Sequence, residues 1–216
     1  MTTVLLTGFE PFGGEALNPS WEAVRRLDGL QLEELQLVAV QLPCVFGAAL
    51  TRLQQALAQH QPALVLAVGQ AGGRAELSLE RVAINIDDAR IPDNAGAQPI
   101  DEPVIAAAPA AYFTTLPIKA MVAALRAAGI PAAVSHSAGT YVCNHVFFGL
   151  MHAASSNPAL RQAGFMHIPY LPEQAAQHAP GTASLALTQI IDGIKIALLS
   201  AHRTTQDLRQ SGGSTH

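Results

Sequence analysis

Short apolar runs alternate with amphipathic segments along most of the 216-residue chain. The runs have the length of buried β-strands, and they lie at residues 3–7, 35–42, 63–68, 131–135 and 164–168. Apolar residues at helical spacing fill the intervals and predict helices near residues 45–59, 118–128, 141–155 and 183–201. This alternation is typical of helices packed on both faces of a mostly parallel sheet. We therefore predict an α/β fold, a single-domain α/β/α sandwich with a twisted central sheet.

The first predicted helix has well-marked ends. Asn18 can cap it, Pro19 suits its first turn, and apolar residues then recur at helical spacing until Asp28-Gly29 supplies a stop signal. At the other end of the chain, residues 204–216 are polar and finish in Ser-Gly-Gly-Ser-Thr-His. We expect one catalytic domain over residues 1–203 and a frayed tail over residues 204–216.

The segment at residues 77–86 reads as a strand with one anomalous position. Glu80 shares its period-2 phase with Val82, Ile84 and Ile86, so a regular strand would place its carboxylate on an apolar face. Three structural explanations are a buried ion pair, a bulge that turns Glu80 outward, and the end of the strand. The functional explanation is a carboxylate that orients and stabilises a cationic catalytic partner.

Residues 88–103 form a long connection that is too rich in Pro, Gly, Asp and Asn for regular structure. Loops of this length in a compact domain are often lids or binding loops. Plain surface coil is the alternative, and the sequence does not decide between a mobile lid and a fixed loop.

Composition excludes several classes of protein. Hydrophobic residues make up 50% of the chain and charged residues 13%, with a net charge of −4. Nucleic-acid binding requires clustered cations, which are missing here, and there is no polybasic patch for a membrane surface. The low charge density leaves apolar surface that self-association would cover, so we expect an oligomer.

The lack of a targeting signal or membrane span and the low cysteine content of the sequence favour a cytoplasmic location. The N-terminal residues lack the basic and apolar regions of a secretory signal, and no apolar stretch approaches the ~18 residues of a membrane span. Two cysteines, Cys44 and Cys143, are too few for a disulfide framework. We therefore expect a cytoplasmic protein.

The two cysteines are also the candidate nucleophiles, because the chain contains no Gly-x-Ser-x-Gly motif. Cys143 has the better setting, since it follows a turn of small residues at a predicted helix start. Free N–H groups and the helix dipole there favour both a thiolate and an oxyanion. The alternative for either cysteine is a small buried hydrophobic residue.

A histidine would have to act as the base, and His167 lies at the end of an apolar strand, where catalytic groups gather in open α/β sheets. A hydrogen-bonded core histidine is the alternative. His145 and His152 are seven residues apart and would share a helix face, but no third ligand at suitable spacing supports a zinc site. We predict no metal.

Several long motifs follow one another along the chain. They are Leu-Leu-Thr-Gly-Phe-Glu-Pro-Phe-Gly-Gly (residues 5–14), Val-Gly-Gln-Ala-Gly-Gly-Arg (68–74), Glu-Arg-Val-Ala-Ile-Asn (80–85), Arg-Ile-Pro-Asp-Asn (90–94), Gly-Thr-Tyr-Val-Cys-Asn (139–144) and His-Ile-Pro-Tyr-Leu-Pro-Glu-Gln (167–174). In this order they resemble the motifs of pyrrolidone carboxyl peptidase, the pyroglutamyl peptidase I family of cysteine peptidases. The resemblance covers nearly the whole chain and fades after about residue 178.

The resemblance implies a catalytic triad in which Cys143 is the nucleophile, His167 is the base and acid, and Glu80 orients the imidazole. It also implies substrate-binding roles around the pyroglutamyl ring, and the candidates are Phe9, Phe12, Gln70, Ile91, Tyr141 and Val142, with Arg90 supporting the oxyanion. A cytoplasmic homotetramer without a cofactor is implied as well. The expected activity is that of an omega peptidase, hydrolysis of the amide bond after an N-terminal pyroglutamyl residue.

A non-catalytic alternative is a doubly wound module that binds a small anion at residues 8–14 or 69–73. The glycine spacing of both segments departs from the dinucleotide-binding and P-loop templates. We therefore rank this alternative below the peptidase.

Overall fold

A computed structural model describes residues 1–213 and contains nine strands and six helices within that range. The strands are β1 (Thr2–Phe9), β2 (Gln31–Leu32), β3 (Leu35–Leu42), β4 (Leu64–Gln70), β5 (Leu77–Glu80), β6 (Val82–Ile84), β7 (Ala111–Phe113), β8 (Ala132–Ser135) and β9 (Gln162–Ile168). The helices are α1 (Pro19–Val24), α2 (Ala48–His60), α3 (Ile118–Ala127), α4 (Val142–Ser156), α5 (Pro172–Ala175) and α6 (Leu187–Arg203).

Seven of these strands form the central sheet, in the order β2-β3-β1-β4-β9-β5-β8. The pairs β1–β3, β1–β4, β4–β9 and β5–β8 are parallel, whereas β2–β3 and β5–β9 are antiparallel. Every residue of β4 is buried, as expected for a central strand covered on both faces. The predicted α/β class with a mostly parallel sheet is confirmed.

Helices cover both faces of the sheet and divide the core in two. Alternate residues of β1 point to opposite faces, so Val4 and Leu6 join one core while Leu5 joins the other. The first core is closed by α1, α3 and α6, and the second by α2 and α4. The second core lies under the N-terminal half of α4, where Cys143 is located.

Helix α1 begins as predicted but ends early. The side chain of Asn18 accepts a hydrogen bond from the Ser20 backbone N–H at 3.0 Å, and Pro19 occupies the first turn. The helix stops at Val24, and the chain reaches Leu27 through a turn in which the Leu27 N–H donates to the Val24 carbonyl. Leu27 is nonetheless fully buried, because the turn keeps it on the apolar side.

The single strand predicted over residues 77–86 is wrong. The chain leaves the central sheet after Glu80, and β6 pairs instead with β7 in a separate two-stranded sheet. Glu80 is fully buried at the end of β5, whereas Val82 and Ile84 are only half-buried, so they do not share one apolar face. The period-2 pattern of a sequence does not reveal that a strand leaves one sheet and joins another, because each sheet has its own inward face.

The part of the C-terminal segment that the structure describes packs against the domain. Both carboxylate oxygens of Asp207 accept backbone hydrogen bonds at the start of α3, from Lys119 at 3.2 Å and Ala120 at 2.9 Å. Arg81 donates to the Gly212 carbonyl at 2.9 Å. The remainder of the tail predicted to be frayed, residues 214–216, lies outside the described residues.

Candidate active site

Two strand ends bring Glu80 and His167 together. Strand β5 runs antiparallel to β9 with Ser78 opposite His167, so Glu80 lies two residues further on and on the same face. A long side chain reaches such a diagonal neighbour. The His167 Nδ1 and Glu80 Oε1 atoms are 2.7 Å apart, and the side chains are 4% and 0% exposed.

The protonation of this pair follows from its geometry and burial. A carboxylate only accepts hydrogen bonds, so Nδ1 carries the imidazole proton and Nε2 is left as an acceptor. Burial raises the pKa of Glu80, but the hydrogen bond from His167 and the positive charge of Arg74 lower it, and the net pKa is lowered. Burial lowers the pKa of His167, and Glu80 opposes this only in part. A neutral imidazole beside an ionised carboxylate is therefore favoured.

The second residue of α4 is Cys143, and Tyr141 is the N-cap of that helix. Tyr141 makes no side-chain hydrogen bond to the first turn within the described chain, so the backbone N–H groups there are available to an anion. Burial raises the pKa of the Cys143 thiol.

The thiol of Cys143 lies close to Gly69 on β4, and β4 pairs with β9, the strand that carries His167. A Cβ atom added to Gly69 would lie 2.8 Å from the Cys143 Sγ atom, and Gly69 pairs with His167 in the β4–β9 ladder. No side chain larger than hydrogen fits at this position without displacing the thiol or the Phe165 ring, which the same Cβ would meet at 2.7 Å. The structure thus gathers the three predicted triad residues around one end of β4, β5 and β9.

The other thiol has a different environment. Cys44 is 3% exposed, in the connection between β3 and α2, and packs within the second core. Burial raises its pKa to about 12. Its backbone N–H donates to Glu10 at 3.0 Å and its carbonyl accepts from Asn94 at 3.1 Å, so its main chain ties neighbouring loops together.

Four of the predicted substrate-binding residues are aromatic or apolar residues that form two pairs. Phe9 and Val142 are buried in the second core, where Phe9 lies 6.3 Å from Phe165 between ring centroids. Phe12 and Tyr141 are only partly buried and lie 6.0 Å apart between ring centroids, beside the N-terminus of α4.

The other three predicted residues lie at the end of β4 and on the loop of residues 88–103. Gln70 is buried at the end of β4, where its Oε1 atom accepts from Gln174 Nε2 at 3.2 Å. Arg90 is exposed, and Ile91 is 45% exposed, on the loop of residues 88–103. The binding roles of all these residues remain predictions.

The loop of residues 88–103 is tied to the approach to the thiol. Asp88 and Thr140 exchange two hydrogen bonds, of 2.9 Å and 2.7 Å, and the Tyr141 hydroxyl donates to the Pro92 carbonyl at 3.1 Å. Asn94 donates to Glu10 at 2.8 Å. The loop therefore packs against the residues that lead directly into α4.

Sequence reasoning missed Arg74, which contacts the site directly. Its Nη1 atom lies 2.7 Å from Glu80 Oε1, and its Nη2 atom donates to the Ser137 carbonyl at 3.0 Å. The signal available in the sequence was a cation directly after a Gly-Gly turn and six residues before a buried acid. Periodicity could not connect the two, because the contact depends on the path of the chain from Arg74 into β5.

The two histidines considered for a metal have protein partners. His145 Nδ1 lies 2.7 Å from Asp87, and its Nε2 accepts from the Gly47 N–H at 2.9 Å. His152 Nδ1 lies 2.9 Å from the Tyr112 hydroxyl. Among residues 1–213, no three His, Cys, Asp or Glu side chains cluster as a metal site requires. No helix in that range is long and apolar enough to cross a membrane.

A thiol at a helix start, beside a histidine oriented by a buried carboxylate, defines the class of α/β enzymes that use a cysteine nucleophile. The sequence profile of the family described as pyroglutamyl peptidase matches residues 2–204. The chain belongs to the pyroglutamyl peptidase family.

Individual relatives agree over the full length. The chain is 62% identical to the pyrrolidone-carboxylate peptidase of Cupriavidus taiwanensis and 56% identical to that of Yersinia pestis, covering 100% of both chains in each case. The pyroglutamyl peptidase I structure from Bacillus amyloliquefaciens is 49% identical, with a TM-score of 0.94 over 97% of this chain and 99% of that one. A mutant pyrrolidone carboxyl peptidase from Pyrococcus furiosus is 40% identical, with a TM-score of 0.92 over 94% and 100%.

The buried imidazole leads to a prediction about its titration. Because burial favours the neutral form, the NMR titration midpoint of His167 should fall below the usual value of about 6.5. Glu80→Gln removes the charge that opposes this shift, so the midpoint in that variant should be lower still. A midpoint above 6.5 in the unaltered protein would contradict the neutral pair.

Proposed function

We propose that this protein is a cysteine peptidase that releases pyroglutamate from the N-terminus of peptides, by hydrolysis of the amide bond after the pyroglutamyl residue. The observation that carries the proposal is the buried His167–Glu80 hydrogen bond of 2.7 Å, on the strand next to the Gly69 position that Cys143 closely approaches. Family membership supports the substrate, since the relatives are named for this activity.

The first half of the reaction forms a thioester. His167 Nε2 takes the thiol proton as the Cys143 sulfur attacks the amide carbonyl, and the carbonyl oxygen becomes an oxyanion. Backbone N–H groups at the start of α4 stabilise that oxyanion. The imidazolium then protonates the leaving amine as the carbon–nitrogen bond breaks.

The second half releases the product. His167, again neutral, takes a proton from water as the water oxygen attacks the thioester carbonyl. The tetrahedral intermediate collapses to pyroglutamate, and the thiolate recovers its proton from the imidazolium.

Glu80 acts on His167 throughout both halves. Its hydrogen bond to Nδ1 holds the imidazole in the tautomer that presents Nε2 to the thiol. When the imidazole becomes a cation, the buried carboxylate offsets its charge. The ionised carboxylate of Glu80 thus stabilises the intermediate with a charged imidazolium more than the resting state with a neutral imidazole.

Pyroglutamate is a neutral lactam, so its binding site needs apolar surfaces and a few hydrogen-bonding groups. We assign the apolar surfaces to Phe12 and Tyr141, whose rings are partly exposed beside α4. Gln70 uses its Oε1 atom to accept from Gln174, which leaves its amide N–H groups for the lactam carbonyl. Arg90 and Ile91 would complete the site from the loop of residues 88–103.

The alternative of a non-catalytic anion-binding module is not supported. Its glycine segments have other roles in this structure: Gly69 makes room for the Cys143 thiol, and a Cβ on Gly8 would meet the Ser20 backbone of α1 at 2.7 Å. These glycines permit close packing of protein on protein rather than of backbone on a phosphate.

Exchange of each thiol tests the assignment of the nucleophile. Cys143→Ser should abolish turnover of pyroglutamyl-aminomethylcoumarin, because a serine hydroxyl is a far weaker nucleophile in the same place. Cys44→Ser is the matched control and should keep most of the turnover, being only a change in core packing. Fluorescence release by both variants at equal concentration measures this, and the reverse pattern would exclude the proposed nucleophile.

Discrimination between rings tests the pocket. An N-terminal proline has the same ring size but carries a charged amine and no lactam carbonyl, so it leaves pocket groups unpaired and desolvates a cation. We expect kcat/KM for the prolyl amide to be lower by roughly 10⁴-fold or more. The Gln70→Leu variant should show a smaller ratio of kcat/KM between the pyroglutamyl amide and the prolyl amide. Equal kcat/KM for the two amides would mean that the pocket recognises only the shape of the ring.

We further propose that the protein is a cytoplasmic homotetramer that needs no cofactor. Its exposed large apolar side chains support self-association, since Ile100 is 70% and Phe113 71% exposed, and charged residues are scarce. Sedimentation equilibrium at micromolar concentration should give four times the mass of the chain. A mass equal to one chain would refute the tetramer.

A further inference from the structure

Arg74 lies at the end of a turn whose position is closely constrained. Gly73 has a φ of +86°, in the left-handed region that favours glycine. A Cβ atom on Gly72 would meet the Tyr170 hydroxyl oxygen at 2.3 Å, so the turn packs directly on that ring. The backbone just before Arg74 is therefore held against Tyr170, which follows β9.

The guanidinium of Arg74 joins two segments of the candidate active site. One nitrogen contacts the Glu80 carboxylate at 2.7 Å, and another donates to the Ser137 carbonyl at 3.0 Å. Ser137 belongs to the connection between β8 and α4, whose Gly139 lies four residues before Cys143. The planar fork of arginine suits such a double contact, whereas the single ammonium of lysine does not reproduce it.

The hydrogen bonds to the Glu80 carboxylate are unevenly shared. Oε1 accepts from both His167 and Arg74, whereas Oε2 is buried without a hydrogen-bond partner among residues 1–213. Both donors therefore hold the same oxygen, and loss of the Arg74 contact would leave the buried carboxylate with the His167 hydrogen bond alone. Arg74 thus helps to fix the position of the carboxylate that faces the imidazole.

We propose that Arg74 is a positioning residue for the hydrolytic reaction, which holds the Glu80 carboxylate against His167 and fixes the segment that leads to Cys143. The inference rests on the proposed function. Arg74 touches neither the thiol nor the substrate in this assignment, and it acts through Glu80 and the Ser137 carbonyl.

The charge of Arg74 has a second effect on the same pair. It attracts the Glu80 carboxylate and repels a proton on His167, so it offsets part of the attraction that Glu80 exerts on an imidazolium. Arg74 therefore favours the neutral imidazole that can accept the thiol proton. A purely structural ion pair elsewhere on the surface would have no influence on this titration.

Three variants separate charge from geometry. Arg74→Gln removes both the charge and the double contact, and Arg74→Lys keeps the charge alone. Arg25→Gln is the matched control, because Arg25 and Glu22 form an Arg–Glu pair at 2.6 Å in which the arginine is 46% exposed and lies far along the chain from the site. For each protein, kcat and KM for pyroglutamyl-aminomethylcoumarin and the NMR titration midpoint of His167 are measured.

Each variant has a distinct expected result. Arg74→Gln should lower kcat by roughly 10–100-fold through misplacement of the base, with less than about a threefold change in KM. Its His167 midpoint should rise by roughly 0.5–1 pH unit. Arg74→Lys should lower kcat as well but leave the midpoint near that of the unaltered protein. Arg25→Gln should change neither quantity.

Two results would overturn the proposal. One is an Arg74→Gln variant that folds, keeps its kcat and shows an unchanged His167 midpoint. The other, decisive if the glutamine variant does not fold, is an Arg74→Lys variant with undiminished kcat. Failure of the unaltered protein to release the fluorophore would refute the proposed function instead, while the His167 midpoint of Arg74→Gln would still report whether Arg74 controls that imidazole.

Discussion

The site depends on one buried contact, the 2.7 Å hydrogen bond between His167 Nδ1 and Glu80 Oε1. A fully buried carboxylate is stable only when donors surround it, and His167 and Arg74 provide them here. The antiparallel pairing of β5 with β9 is what makes the contact possible, because it sets Glu80 diagonally opposite His167 on one face. This departure from an otherwise mostly parallel sheet is therefore directly connected with the chemistry.

The thiol is brought to this pair by close packing. Gly69 has no side chain, so Cys143 can approach β4, and the first turn of α4 offers its N–H groups at the same place. Burial then raises the pKa of the thiol and lowers that of the imidazole. The same tight packing that brings the thiol and the imidazole together therefore favours the neutral form of both groups.

The surrounding loops hold this arrangement from several directions. Residues 88–103 are bonded to Thr140 and Tyr141, immediately before α4, and Arg74 is bonded to Ser137 slightly earlier in the chain. The Asp87–His145 pair adds a third tie, on the second residue after Cys143. The approach to the thiol is thus fixed by polar contacts, which have strict geometric requirements, rather than by apolar packing alone.

Local pattern in the sequence determined the α/β class, the positions of the main strands and helices, and the special character of Glu80, because hydrophobic period and turn residues are local properties. Long motifs further identified the family and predicted the three residues of the triad. Only the tertiary structure decided that the chain changes sheets after Glu80 and that Arg74 reaches its carboxylate. It also showed that Cys44 belongs to the core. Those facts depend on strand pairing and on the path of the chain between residues 74 and 80, which join residues that no local period relates.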